Sequence, residues 1–152
     1  MYHALKNCSD VKVWVLVCGT NNLRKKPFRP SDVESYRLLL EACLRIAPKS
    51  TVIACDMFYR QDIPDAVVDE SNEMLKSVAQ GVNHELSGRE GMKKVQWLEH
   101  RKFIGKDMLV DHVHLTEEGY AKWDELLWPY VRNLANTRET NVSSAEEKAD
   151  DD

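Results

Sequence analysis

The chain has 152 residues, a length that suits one domain with a sizeable core. Hydrophobic residues make up 43% and charged residues 30%, which is ordinary for a soluble globular protein. The formal net charge of −4 arises after residue 135, where six acidic residues accompany two basic ones. The remainder is close to neutral, which argues against nucleic acid as a partner. No run of residues suits a signal peptide or a membrane span.

Four cysteines are present, and none has Cys-x-x-Cys spacing. Cys18 and Cys55 lie in apolar runs that favour strands, and Cys43 lies on the apolar face of a predicted helix. The sequence therefore predicts buried, reduced thiols and a cytoplasmic protein.

The first half of the chain predicts two strands and a helix. The apolar run Val11–Cys18 favours a strand that is covered on both faces. Ser31-Asp32-Val33-Glu34 resembles a capping box with Ser31 as the N-cap, and Pro48 ends the helix that follows. Thr51–Phe58 is a second strand run.

The second half predicts a long helix from about Asp65 to Leu86, a short strand at Val95–Leu98 and a loop over residues 101–110. Thr116 is a suitable N-cap for a last helix, in which Pro129 favours a kink. Alternation of strands and helices predicts a parallel sheet in a three-layer α/β/α sandwich, flavodoxin-like in strand order. We expect one domain over residues 1–135 and an acidic, disordered tail over residues 136–152.

Two short motifs suggest chemistry. The segment Gly19-Thr20-Asn21-Asn22 follows the first predicted strand, where Gly19 permits a sharp turn and Asn21 offers an amide donor. Asp111 precedes His114 by three residues, so its carboxylate can orient the imidazole and leave the other ring nitrogen free as a base. Ester hydrolysis through a serine needs such a base and donors for the developing oxyanion. Either motif alone has a bland explanation as a turn or a surface ion pair.

In this order, the motifs resemble those of the SGNH (GDSL-type) hydrolase superfamily, in particular the catalytic subunits of intracellular platelet-activating-factor acetylhydrolases. Those proteins also have an apolar strand ending in Gly-Thr-Asn-Asn and a late Asp-x-x-His-Leu-Thr-x-x-Gly-Tyr segment. The resemblance covers about Val11 to Leu134 and implies an esterase acting on acetyl or short acyl esters, without a cofactor. It assigns Asn21, with Gly19, to the oxyanion hole, Asp111 to the triad carboxylate and His114 to the general base.

The family's nucleophilic serine, in a Gly-Asp-Ser block, and a second oxyanion glycine have no counterpart in the sequence. No other serine follows a strand in a tight turn. We therefore expect the isolated chain to be inactive or nearly so. The alternatives are a non-catalytic binding or scaffold subunit and a truncated gene product.

Two further expectations concern partners. His112 and His114 have metal-ligand spacing, but no third ligand is near in the sequence, so we expect no metal site. The first strand would leave a long apolar edge, which favours a homo- or heterodimer or additional strands beside it.

Overall fold

The structure, a computed structural model, describes the backbone of residues 8–90 and 94–146 and the side chains of residues 8–85 and 94–136. Strands and long helices alternate along the described chain, which is the order expected of an α/β fold. The elements are β1 (Val13–Leu16), α1 (Pro30–Ile46), β2 (Thr51–Cys55), α2 (Asp65–Glu90), β3 (Val95–Leu98) and α3 (Glu117–Glu146). Single 3-10 turns lie at Thr20–Asn22, Arg101–Phe103 and Lys106–Met108, the last two within the predicted loop.

The described strands form one parallel sheet in the order β1-β2-β3, with Val13 opposite Thr51 and Val52 opposite Val95. The central strand β2 is buried along its whole length, as expected of a strand with a neighbour on each side and helices on both faces. The predicted parallel α/β architecture is confirmed.

Alternate residues of the sheet enter two separate cores. Val52 and Ala54 face a core built with α1 and α2, whereas Ile53 and Cys55 face a core built with α3. Successive side chains of a strand point to opposite faces of the sheet. α1 and α2 therefore cover one face, and α3 covers the other. The result is the predicted three-layer sandwich.

The two edges of the described sheet differ. At the β3 edge, the side chain of Asn83 pairs with Val95, donating to its carbonyl at 2.6 Å and accepting from its N–H at 2.9 Å. At the β1 edge, Val15 and Val17 are 38% and 46% exposed. Apolar side chains are thus exposed in β1 and directly after it, while the long apolar edge, the dimer and the additional strands stay predictions.

Both predicted strand runs are longer than the strands observed. β1 ends at Leu16 because Gly19 turns the chain, with a backbone φ of +107°. β2 ends at Cys55. The side chain of the buried Asn72 hydrogen-bonds the backbone of Met57: Oδ1 accepts from the N–H at 2.8 Å, and Nδ2 donates to the carbonyl at 3.0 Å. A side-chain amide thus replaces a neighbouring strand. The prediction for Val95–Leu98 is confirmed.

The predicted capping box at Ser31 is wrong by two residues. Arg29 is the N-cap, Pro30 is the first helical residue, and the Asp32 carboxylate accepts the Arg29 N–H at 3.1 Å. Proline has a fixed φ suited to the first helical position and needs no N–H partner there, so the helix begins before Ser31.

The N-cap prediction for α3 is confirmed, since the hydroxyl of Thr116 accepts the Gly119 N–H at 3.1 Å. The helix continues through Pro129 and ends at Glu146, within the segment for which composition predicts disorder. Extension costs little once earlier turns are anchored by packing, which explains this overlap. Residues 147–152 lie outside the described residues.

Cys43 and Cys55 are buried and Cys18 is half-buried, and none of the three forms a disulfide. Burial raises the pKa of Cys55 to about 12, so this thiol stays protonated near neutral pH. Across the described residues, no helix combines the length and the apolar character that crossing a membrane requires.

Candidate active site

A cavity of about 540 Å³ opens at the carboxyl ends of β1 and β2 and extends to the start of α3. This edge is where parallel α/β proteins commonly bind ligands, because successive loops converge there. The lining residues are Val17, Cys18, Thr20 and Asn21 after β1, Met57, Phe58 and Arg60 after β2, and His112, Val113, His114, Leu115, Tyr120 and Trp123 around the start of α3. Asn21 and His114, which are far apart in the sequence, therefore line one cavity.

Asp111 holds His114 from both backbone and side chain. One carboxylate oxygen accepts the backbone N–H groups of Val113 and His114, each at 2.7 Å. The other lies 2.7 Å from Nδ1 of the His114 ring. The backbone N–H and ring of His114, together with Val113 N–H, lower the pKa of Asp111 well below its ordinary value. Asp111 is therefore ionised at neutral pH, and Nε2 of His114 is left for proton transfer.

Gly19 shapes the first loop through its backbone and is not among the residues lining the cavity. Its φ of +107° belongs to the region that favours glycine. A Cβ atom at this position would lie 2.8 Å from Sδ of Met57 and 3.2 Å from Cζ of Phe28. Both the conformation and the close packing require a residue without a side chain.

The residues on either side of Asn21 are anchored. The Thr20 carbonyl accepts a hydrogen bond from Nη1 of Arg60 at 2.8 Å, and the Asn22 amide donates to Asp32 at 2.9 Å. Asn21 is itself exposed, and its side-chain amide has no hydrogen-bond partner among the described residues. A fixed turn thus presents an available donor to the cavity.

The sequence analysis missed several residues that form the cavity walls. Phe58 and Trp123 contact edge to face, with ring centroids 5.5 Å apart, and both line the cavity beside Met57. In the sequence, Phe58 and Trp123 cannot be told from core residues, because both are apolar. Only the tertiary structure shows that they line the cavity. Arg60 could have been singled out, because a charged residue two positions after the run Thr51–Phe58 needs partners if it is buried.

None of the described serines lines the cavity. Cys18 does, but burial and the nearby Cys43 raise its pKa, so it stays a thiol near neutral pH. His112 also lines the cavity. Among the described side chains, those of residues 8–85 and 94–136, no group of three or more His, Cys, Asp or Glu could hold a metal ion.

No protein-family model and no curated protein sequence matches the chain. Solved structures do match. One is a candidate platelet activating factor from Streptococcus pneumonia, with a TM-score of 0.53 and 17% identity over 79% of this chain and 59% of that one. Another is a family 3 carbohydrate esterase from Clostridium thermocellum, with a TM-score of 0.58 and 20% identity over 86% of this chain and 62% of that one.

A third is a candidate GDSL-like lipase from Bacteroides ovatus, with a TM-score of 0.59 and 14% identity over 87% of this chain and 39% of that one. The chain shares the fold of these three proteins. It spans less than two thirds of the length of each.

Proposed function

We propose that the chain carries the general base and an oxyanion donor of an SGNH-type ester hydrolase that acts on acetyl or other short acyl esters. The observation that carries this proposal is the shared cavity of Asn21 and His114, with His114 held by Asp111. The fold shared with a carbohydrate esterase and a lipase supports the same reaction class. We infer a cytoplasmic location from the reduced thiols.

The proposed chemistry follows from the contacts of these residues. Nε2 of His114 takes a proton from the attacking hydroxyl, and the Asp111 carboxylate stabilises the imidazolium that forms. The carbonyl oxygen of the ester becomes negatively charged as the new C–O bond forms, and the Asn21 amide donates a hydrogen bond to it. The protonated imidazole then gives its proton to the departing alcohol.

No described serine lines the cavity, so the chain offers no nucleophilic hydroxyl there among its described residues. We propose that this chain alone forms no acyl-enzyme and that its esterase activity is low, with water as the attacking group. A covalent adduct between the purified chain and a fluorophosphonate probe, detected by mass spectrometry, would contradict this part of the proposal.

Hydrolysis of 4-nitrophenyl acetate tests the role of His114. We expect slow release of 4-nitrophenol without an initial burst, reduced to the buffer rate in His114→Ala and lowered in Asp111→Asn. His84→Ala is the matched control, because His84 is exposed and lies outside the cavity. Wild-type hydrolysis no faster than buffer, or a rate unchanged in His114→Ala, would favour a non-catalytic binding subunit.

Binding of acetate tests the oxyanion donor without requiring turnover. Acetate is a product of the proposed reaction and places a charged oxygen where the oxyanion would lie. We expect it to shift the NMR signals of the Asn21 amide and the His114 ring, and to bind more weakly to Asn21→Ala. Equal binding to both proteins would exclude Asn21 as the donor.

A further inference from the structure

Arg60 is a charged residue with only 9% of its surface exposed, at the wall of the cavity. Burial of an arginine is costly unless its donors are paired. Asp62 pairs with two of its nitrogens, Nε at 2.8 Å and Nη2 at 2.6 Å. This two-point contact fixes the plane of the guanidinium and lowers the pKa of Asp62.

The third nitrogen reaches the other loop of the site. Nη1 of Arg60 donates to the Thr20 carbonyl at 2.8 Å, directly before Asn21. A charge-assisted hydrogen bond is stronger than one between neutral groups, and it restrains the turn that presents the Asn21 amide.

The residue after Arg60 binds the loop that carries the histidine. The backbone N–H of Gln61 donates to the His112 carbonyl at 3.1 Å. Two consecutive residues, Arg60 and Gln61, therefore connect the turn at Thr20–Asn22 with the Asp111–His114 loop.

We propose that Arg60 is a positioning residue, which sets the distance between the Asn21 amide and the His114 imidazole. Asp62 fixes its guanidinium on the Thr20 carbonyl, and the backbone N–H of the adjacent Gln61 binds the His112 carbonyl. The inference rests on the proposed function, because in an ester hydrolase these two groups must meet the same reacting carbonyl. Small displacements of such groups reduce rates strongly, so a rigid link between the loops has catalytic value.

Arg60→Met tests this link, since it keeps an apolar side chain of similar reach and removes the donors. The NMR signals of the Asn21 amide and of the His112 and His114 backbone should shift together. Acetate binding should weaken about tenfold, the equivalent of one hydrogen bond. Ethylguanidinium added to Arg60→Ala should restore the signals, which a general loss of stability does not predict.

Arg37→Met is the matched control, because Arg37 also forms three hydrogen bonds, to Glu41 and Glu85, away from the cavity. Its removal should leave the Asn21 and His114 signals unchanged. Unchanged signals in Arg60→Met, or equal shifts in Arg37→Met, would overturn the positioning role.

Asp62→Asn provides a second test if Arg60→Met does not fold, since the Asp62 side chain is 43% exposed and tolerates substitution. It weakens the two-point contact, so smaller shifts of the same signals are expected, and no shift would overturn the inference. If acetate fails to bind the wild-type chain, the proposed function fails, while the comparison of signals still decides the role of Arg60.

Discussion

Replacing Gly19 by alanine tests whether the turn before Asn21 depends on a residue without a side chain. Gly19 has a φ of +107°, which an alanine rarely adopts. Its added Cβ would also meet Met57 Sδ at 2.8 Å and Phe28 Cζ at 3.2 Å, both in the buried core. The substitution therefore combines backbone strain with overpacking.

The two effects can be given magnitudes. Backbone strain of this kind costs about 1–3 kcal/mol. Overpacking of a filled core costs about 1–3 kcal/mol, and the lower end applies here because Met57 is flexible. We expect Gly19→Ala to lower the free energy of unfolding by about 2–5 kcal/mol, a large part of the roughly 5–15 kcal/mol typical of a domain.

Urea unfolding followed by circular dichroism measures this change. Gly81→Ala is the matched control, because Gly81 lies inside α2 and nothing lies within 4 Å of its added Cβ. That substitution should raise stability by about 0.5–1 kcal/mol through helix propensity. A loss below about 1 kcal/mol in Gly19→Ala would refute the reasoning, because it would mean that the turn relaxes without strain.

Two further predictions concern buried polar groups. Asn72→Ala should lower the free energy of unfolding in urea by about 2–4 kcal/mol, because the backbone N–H and carbonyl of Met57 lose their partners. Ser77→Ala removes an exposed hydroxyl and is the control. Equal unfolding midpoints for the two variants would contradict the prediction. Burial lowers the pKa of His100 in the folded protein. As the pH falls, this histidine is therefore protonated in the unfolded chain before it is protonated in the folded one, and stability should fall below pH about 6.5. His100→Gln should weaken this dependence in unfolding midpoints at pH 7, 6 and 5; a pH dependence equal to that of His84→Gln would contradict the assignment.

The architecture was predictable because it depends on patterns that repeat. Val11–Cys18 is apolar except for Lys12, and Thr51–Phe58 is apolar except for Thr51 and Asp56. A strand buried on both faces requires such a run. The intervening helix has apolar residues at helical spacing, which packs one face against the sheet. These periodicities indicate element type and order, and hence the three-layer sandwich.

The ends of the elements were harder to predict, because they depend on partners far away in the sequence. β2 ends at Cys55, and two residues later the backbone of Met57 is hydrogen-bonded to Asn72 of α2 instead of to a strand. No local sequence signal reveals this pairing. α1 begins at Pro30 because the fixed φ of proline outweighs the capping signature that follows it.

The sequence by itself determined the candidate base and its carboxylate partner, because Asp111 and His114 are only three residues apart and their contact depends on one short loop. The turn after β1 and the imidazole of His114 line one cavity because the carboxyl ends of parallel strands share one edge of the sheet. Only the tertiary structure showed that Met57 and Phe28 leave no room for a side chain at Gly19, and only it brought Arg60 to the Thr20 carbonyl. The physical reason is that a long-range contact depends on how three separate loops pack together, which a pattern in one segment does not encode.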